Sequence, residues 1–302
     1  MDLTTLGACF SAPACIVTQS SAGLISGVLL FLVASGLTVI FGVLGFVNFT
    51  HGSLYMLGAY FAYTAYSVTG SFILAILAGA FGVGVVGYAL ERLIVRRLYG
   101  TDVLLQILAC YALILIFDDL VNVIWGSEFI SMGLPEAFRL RPLIVFGGVV
   151  PPFYLFLIGV TLTVTVVIIA VLRYTRYGKI IRAAAQNRNM VSALGINTGL
   201  IYVSVFTIGA MLAGAAGALA APVRSLTSGM GFSILIESFI VTVIGGMGSV
   251  AGALVASVLI GLTRSFGNMG FPLFTDGLIF MMMSLVLVLR PQGLFGEGER
   301  EI

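Results

Sequence analysis

Asn48, Thr50, His51 and Ser53 lie within six residues of one another in the stretch VNFTHGSLYMLG (47–58). An amide, two hydroxyls and an imidazole could cap a helix, contact water or relay a proton. His51 is the only histidine of the chain, and no Asp, Glu, Lys or Arg occurs from Leu3 to Leu90. A catalytic constellation needs a second acid, base or nucleophile within reach, and none stands near this imidazole. Metal binding fares no better. Cys110 lies inside an apolar run, and Cys9 and Cys15 flank Pro13 with no histidine or carboxylate beside them. Those two could form a disulfide only in an oxidising compartment. No catalytic residue, metal or cofactor is expected. The phosphate-binding pattern GxxxxGK[ST] is absent too, so any energy from ATP must come from another chain.

Four acids stand in or near apolar runs: Asp118, Asp119, Glu237 and Asp276. An ion-coupled carrier would want at least one of them at mid-depth in a membrane. The span assignment below puts all four towards the outer face, where pairing with Arg224 or Arg264 is the plainer account. A secondary carrier or channel is therefore the alternative reading.

The elements that must position these residues follow from composition. The 302 residues are 60% hydrophobic and 9% charged, with a mean hydropathy of +1.17. A soluble domain carries about 25% charged residues, so this is an integral membrane protein. No basic patch suits nucleic acid, and the N-terminus lacks the cationic start of a signal peptide. The apolar runs are continuous, which excludes a β-barrel. A helix needs roughly 20 apolar residues to cross the bilayer. Nine spans are expected, at about 22–46, 52–68, 72–91, 103–125, 150–172, 198–221, 232–247, 249–265 and 272–290. Arg92, Arg96, Arg97, Arg173, Arg176, Lys179, Arg182, Arg188, Arg290 and Arg300, ten of the fourteen cations, then share one side. By the positive-inside rule that side is the cytoplasm. Residues 1–21 form an outer segment, 22–290 a single transmembrane domain and 291–302 an inner tail, in a bacterial-type cytoplasmic (inner) membrane.

Two stretches interrupt the apolar sequence: VNFTHGS, and IGGMGSVAG at 244–252. A broken helix is tolerated in lipid only where protein buries it or water reaches it. Paired glycine-interrupted spans point to a transport site. The candidate pathway residues are Asn48, Thr50, His51 and Ser53, with Gly245, Gly246, Gly248 and Ser249. Asn48 or Thr50 is expected to cap a helix starting near Ser53. His51 then sits either at a turn near the cytoplasmic interface or at a junction facing the protein interior. Most other glycines read as close helix packing.

Residues 173–197, RYTRYGKIIRAAAQNRNMVSALGIN, carry five cations and no acid. A helical stretch bracketed by Gly178 and Gly195 and interrupted at QNRN is expected. It could lie on anionic lipid or dock on a cytoplasmic protein; its small alanines favour docking.

The segments GLTVIFGVLGFVNFTHGSLYMLGAY (36–60), ERLIVRRLYG (91–100), 173–197, VIGGMGSVAGALVASVLIGLTRS (243–265) and RPQGLFG (290–296) resemble the permease subunits of branched-chain (hydrophobic) amino-acid ABC importers. The resemblance runs from about 22 to 296; residues 1–21 match no pattern of that family. It implies an all-α transmembrane bundle of the type II importer kind and a permease with no catalysis of its own. Two permeases would form the pathway, two cytoplasmic ATPases power it, and a periplasmic or lipid-tethered binding protein deliver the substrate. The substrate would be an amino acid, branched-chain or hydrophobic first, or a related small solute. In such systems the segment matching 173–197 docks into the ATPase, which assigns coupling to Lys179, Arg182, Ala183, Ala184, Gln186, Leu194 and Gly195.

Overall fold

The computed structural model describes residues 3–139 and 141–296. Arg300, counted among the inner cations, and the rest of the tail from 297 onward lie outside the described residues. In hydrocarbon every backbone N–H and C=O needs an internal partner, so continuous apolar runs become helices. They are α1 (Leu3–Ser11), α2 (Pro13–Leu44), α3 (His51–Thr69), α4 (Phe72–Leu90) and α5 (Val103–Trp125). After them come α6 (Pro152–Tyr174), α7 (Arg176–Gln186), α8 (Arg188–Ala193), α9 (Thr198–Ala220), α10 (Met230–Gly245), α11 (Val250–Gly270) and α12 (Thr275–Leu289). A π turn over Glu91–Val95 extends α4 to Leu98.

Seven of these are long and apolar enough to cross a membrane: α2, α4, α5, α6, α9, α11, and α12 taken with the 3-10 turn Pro272–Phe274 ahead of it, 18 residues in all. The other two of the nine expected are present as helices but differ in kind. α10 has only 16 residues, and α3 carries the polar HGS start and several tyrosines. The first helix also begins earlier than expected. α2 starts at Pro13, a proline in the position where its missing N–H costs nothing, and runs unbroken for 32 residues to Gly45, which ends it at φ +60°. The expected boundary between residues 21 and 22 therefore falls inside a helix.

α2 and α9 form the centre, with 72% and 67% of their most apolar stretches buried inside the chain; α5, α6 and α12, at 28%, 17% and 11%, form the rim. α2 lies along α11 and crosses α9, and α9 also packs on α3 and α4. These crossings are close because glycines face each other: a Cβ on Gly58 would fall 2.4 Å from the Gly214 Cα, and one on Gly27 2.6 Å from the Ser257 carbonyl.

One end of the bundle gathers the N-terminal segment and the 126–151 connection. A disulfide joins Cys9 to Cys15, folding α1 back on α2, and Phe10 stacks on Phe266 near the end of α11. A short antiparallel hairpin, β1 (Leu143–Val145) with β2 (Gly148–Val150), pairs Leu143 with Val150. The Val149 N–H donates to Thr18 Oγ1 at 3.1 Å, tying that hairpin to α2. The opposite end holds α7, α8, the α10–α11 turn and residues 290–296.

Candidate functional site

The junction at VNFTHGS is fully interior. Asn48, Thr50 and His51 are 0% exposed and Ser53 1%. After α2 ends at Leu44 the chain doubles back, so that His51 Nε2 sits 3.0 Å from the Val33 carbonyl. Its ring fills the space where a Cβ on Gly36 would stand. Val33 and Gly36 lie eight to eleven residues before the end of α2, about 12–17 Å along its axis. The reading of this stretch as a turn at the cytoplasmic interface is therefore corrected. A carbonyl only accepts, so His51 Nε2 carries a proton; Nδ1 is buried without a partner. Capping also differs from expectation. The helix starts at His51 itself, and Thr50 makes no side-chain cap. Instead Asn48 Oδ1 accepts from both the backbone N–H and the hydroxyl of Thr50, a local Asx turn that satisfies the peptide just ahead of α3.

The second interruption is a tight turn at the other end. α10 stops at Gly245, Gly246 takes φ +100° and Gly248 φ +90°, both open only to glycine without strain. Ser249 Oγ then accepts from the Gly252 N–H at 3.1 Å to start α11. Gly248 rests against Gly42, near the foot of α2. The two interruptions do not meet, because His51 stands well above Gly42 along that helix. The turn has a partner that sequence reasoning missed: the Leu294 N–H donates to the Ile244 carbonyl at 2.8 Å and the Phe295 N–H to the Gly245 carbonyl at 3.0 Å.

The basic segment forms two helices at that same end. Thr175 caps α7 through the Gly178 N–H. Asn187 breaks the chain and caps α8 through the Met190 N–H at 2.9 Å, which is the interruption expected at QNRN. Gly178 is not a bracket but lies within the first turn of α7, where any side chain would strike the Leu172 and Val171 carbonyls. Ile181, Ala184 and Val191 turn inward onto Val43, Ile201 and Val205. Arg188 stacks over Tyr202 at 4.9 Å. Of the expected coupling residues, Lys179, Arg182, Ala183, Gln186, Leu194 and Gly195 are exposed. Ala184 is corrected: it is 2% exposed and faces the core with Ile181. Met190, 64% exposed beside Leu194 at 73%, belongs to the outward face in its place. Those two apolar side chains protrude from a cationic, acid-free segment.

A third feature emerges only in three dimensions. Glu237 on α10, Arg264 on α11 and Asp276 in the first turn of α12 converge. Arg264 Nη1 lies 2.7 Å from Glu237 Oε2, and Nη2 lies 3.4 Å from Asp276 Oδ1. Both ion pairs among the described residues thus fall on Arg264, one of the two partners anticipated. Glu237 stands midway along the short α10. The three charges line an open cleft of about 230 Å³ whose other walls are mostly isoleucine. No group of three metal-ligating side chains occurs among the described residues.

A family model described as "Branched-chain amino acid transport system / permease component" matches residues 20–287. The chain belongs to this family. Among the relatives of this permease is the high-affinity branched-chain amino acid transport system permease protein BraD of Pseudomonas aeruginosa, 30% identical over 92% of this chain and 95% of its own. LivH of Escherichia coli, named in the same way, is 27% identical over 89% of this chain and 92% of its own. LivM of Escherichia coli matches a shorter part, 29% identical over 39% of this chain and 28% of its own. In fold the permease resembles "PsaBC from Streptococcus pneumoniae in complex with Fab", with a TM-score of 0.50, 11% identity and 96% of this chain covered. The permease is thus a multi-pass inner-membrane subunit of an ABC importer and not an enzyme.

Proposed function

We propose that this permease forms half of an ATP-driven import pathway for branched-chain or other hydrophobic amino acids. Its N-terminus lies outside and its C-terminus in the cytoplasm. The observation that carries the coupling part is the α7–α8 unit. Ala183, Met190 and Leu194 protrude from a segment rich in Lys and Arg, while Ile181, Ala184 and Val191 seat it on the feet of α2 and α9. A rigidly seated knob of this kind suits docking to a cytoplasmic ATPase, and two such ATPases would serve a pair of permeases. The permease names of LivH and LivM support pairing with a second, related permease. A periplasmic or lipid-tethered protein would deliver the substrate to the opposite end. The Cys9–Cys15 disulfide supports an oxidising outer compartment for that end.

Proteoliposomes holding the complete transporter should take up labelled leucine, isoleucine or valine only with internal ATP, and uptake should survive collapse of the proton gradient. Uptake driven by a pH gradient without ATP would favour the secondary carrier. Single cysteines in 182–190 should label only from the cytoplasmic side and those in 130–138 only from outside. Labelling of both from one face would overturn the orientation.

A further inference from the structure

Resting on that reading of the substrate, we propose that the cleft between α10, α11 and α12 is a solute subsite on the transport path. It takes a zwitterionic amino acid with an aliphatic side chain. Arg264 receives the carboxylate, Glu237 and Asp276 the ammonium, and isoleucine walls the side chain. Charged residues in membrane-spanning helices face a bundle interior or a water-filled cavity. Glu237 and Arg264 keep 17% and 22% of their side-chain surface exposed and Asp276 80%, and all three line an open cleft. Acyl chains cannot cover that opening without stranding the charges. Water must fill it, as on a path between two permeases.

The lining then selects the solute. Ile236, Ile240, Ile260 and Ile279 offer branched apolar surface opposite the charges. A few polar groups among apolar walls are the usual make-up of a small-molecule site. At about 230 Å³ the space falls below the roughly 300–1,000 Å³ typical of drug-sized ligands, so the occupant is a small metabolite. The triad sums to −1, so net charge alone would favour a cation; what singles out a zwitterion is that it can exchange with the Arg264–Glu237 pair and meet both partners at once. When Arg264 leaves Glu237 for a ligand carboxylate, the ligand's own ammonium replaces it at Glu237, and no charge in the cleft goes unpaired. An amine could displace Arg264 from Glu237 only by leaving the guanidinium with Asp276 alone, and an anion would meet both carboxylates with no cation of its own to offer them.

The test uses the complete transporter in proteoliposomes. Cys9 and Cys15 are joined and Cys110 is buried, so Ser233→Cys, on the cleft rim, adds a lone accessible thiol. A membrane-impermeant thiol reagent should label it. L-leucine should slow that labelling about tenfold, the loss expected when hydrogen bonds to charged groups are required. Leucinamide, which lacks the carboxylate, and 4-methylpentanoate, which lacks the ammonium, should leave the rate within a factor of about two. Arg264→Lys, which keeps the charge and loses the fork, should raise the KM for leucine about tenfold at unchanged maximal rate. Where that variant fails to assemble, Ile236→Trp leaves the triad intact and should shift preference from leucine to alanine. An unlabelled Ser233→Cys overturns the water-filled cleft. Labelling slowed equally by all three compounds, or by leucinamide alone, overturns the zwitterion. Leucine that is carried but does not protect removes the subsite and leaves the substrate reading standing. Leucine that is neither carried nor protective removes both.

Discussion

Two open clefts of this bundle differ in what can fill them. One, of about 230 Å³, sits between α10, α11 and α12 and is lined by Glu237, Arg264 and Asp276. The other, of about 300 Å³, sits between α2, α6, α7 and α9 and is lined by apolar surface from Val39, Val167, Ile168, Leu172 and Ile208. α6, which forms its outer wall, is the most apolar span and among the least buried. Lipid tails can lie against the second cleft at no electrostatic cost. Against the first they would have to desolvate an ion triad. Similar concavity on one chain thus marks opposite neighbours, and side-chain chemistry rather than shape tells the lipid side from the wet side.

Several substitutions would break or sharpen that contrast. The largest effect belongs to Arg264→Leu, which leaves two carboxylates without a partner. Removing one member of a buried pair costs about 3–5 kcal/mol, and somewhat less is expected here because the pair retains a fifth of its surface. The yield of folded permease should fall sharply, and the double replacement Glu237→Gln with Arg264→Gln should restore most of it. Equal yields for the single and double variants would mean that the triad carries no stability. Next come matched lysines. Val167→Lys places a charge about two-thirds of the way along α6, four residues from the centre, at which a lysine costs about 2.5–3.5 kcal/mol on insertion scales, and should lower membrane insertion. Ser233→Lys enters the charged cleft one turn from Glu237 and should insert normally. If both insert alike, the two clefts do not differ in their surroundings.

A smaller change is expected behind both clefts. His51→Leu removes the donor to the Val33 carbonyl, a net loss of about 0.5–1.5 kcal/mol, while His51→Gln can keep a donor near the same place. Thermal unfolding of the purified chain should rank wild type, then Gln, then Leu. Leu equal to wild type would show that the Val33 contact contributes nothing. The smallest effect is Val166→Ala on the exposed face of α6, 65% exposed. It should change stability by less than about 0.5 kcal/mol; a larger loss would mean that protein, not lipid, covers α6.

Much of this arrangement was readable from local sequence, and the failures share a cause. The long helices follow from apolar runs, and the Gly246–Ser249 turn from residues that break and cap. The identity of Arg264 as a partner for the acids was one of two choices. What local sequence cannot supply is direction. Residues 45–50 read only as a break, and whether the chain leaves the membrane or climbs back depends on Gly36 of α2 and Gly231 of α10 leaving room for His51 and Gly52. Adjacent alanines pose the same problem. Ala183 and Ala184 differ by one step of the helix, about 100°, and only the position of the α2 and α9 feet decides which one is buried. The charged cleft draws its walls from three helices, each of which contributes one or two isoleucines and a single charge.

The hydrogen bonds from Leu294 and Phe295 to the carbonyls of Ile244 and Gly245 set an order for the making of this protein. A helix end leaves its last carbonyls without partners, and here the donors for α10 come from about fifty residues further along the chain. During synthesis α10 and α11 must therefore wait in the membrane with that turn incomplete until Leu294 and Phe295 have been added. A nascent chain stalled before Leu294 would leave that turn open, and one extended past Phe295 would not. Closure of that turn thus reports that α12 and the segment after it have been made.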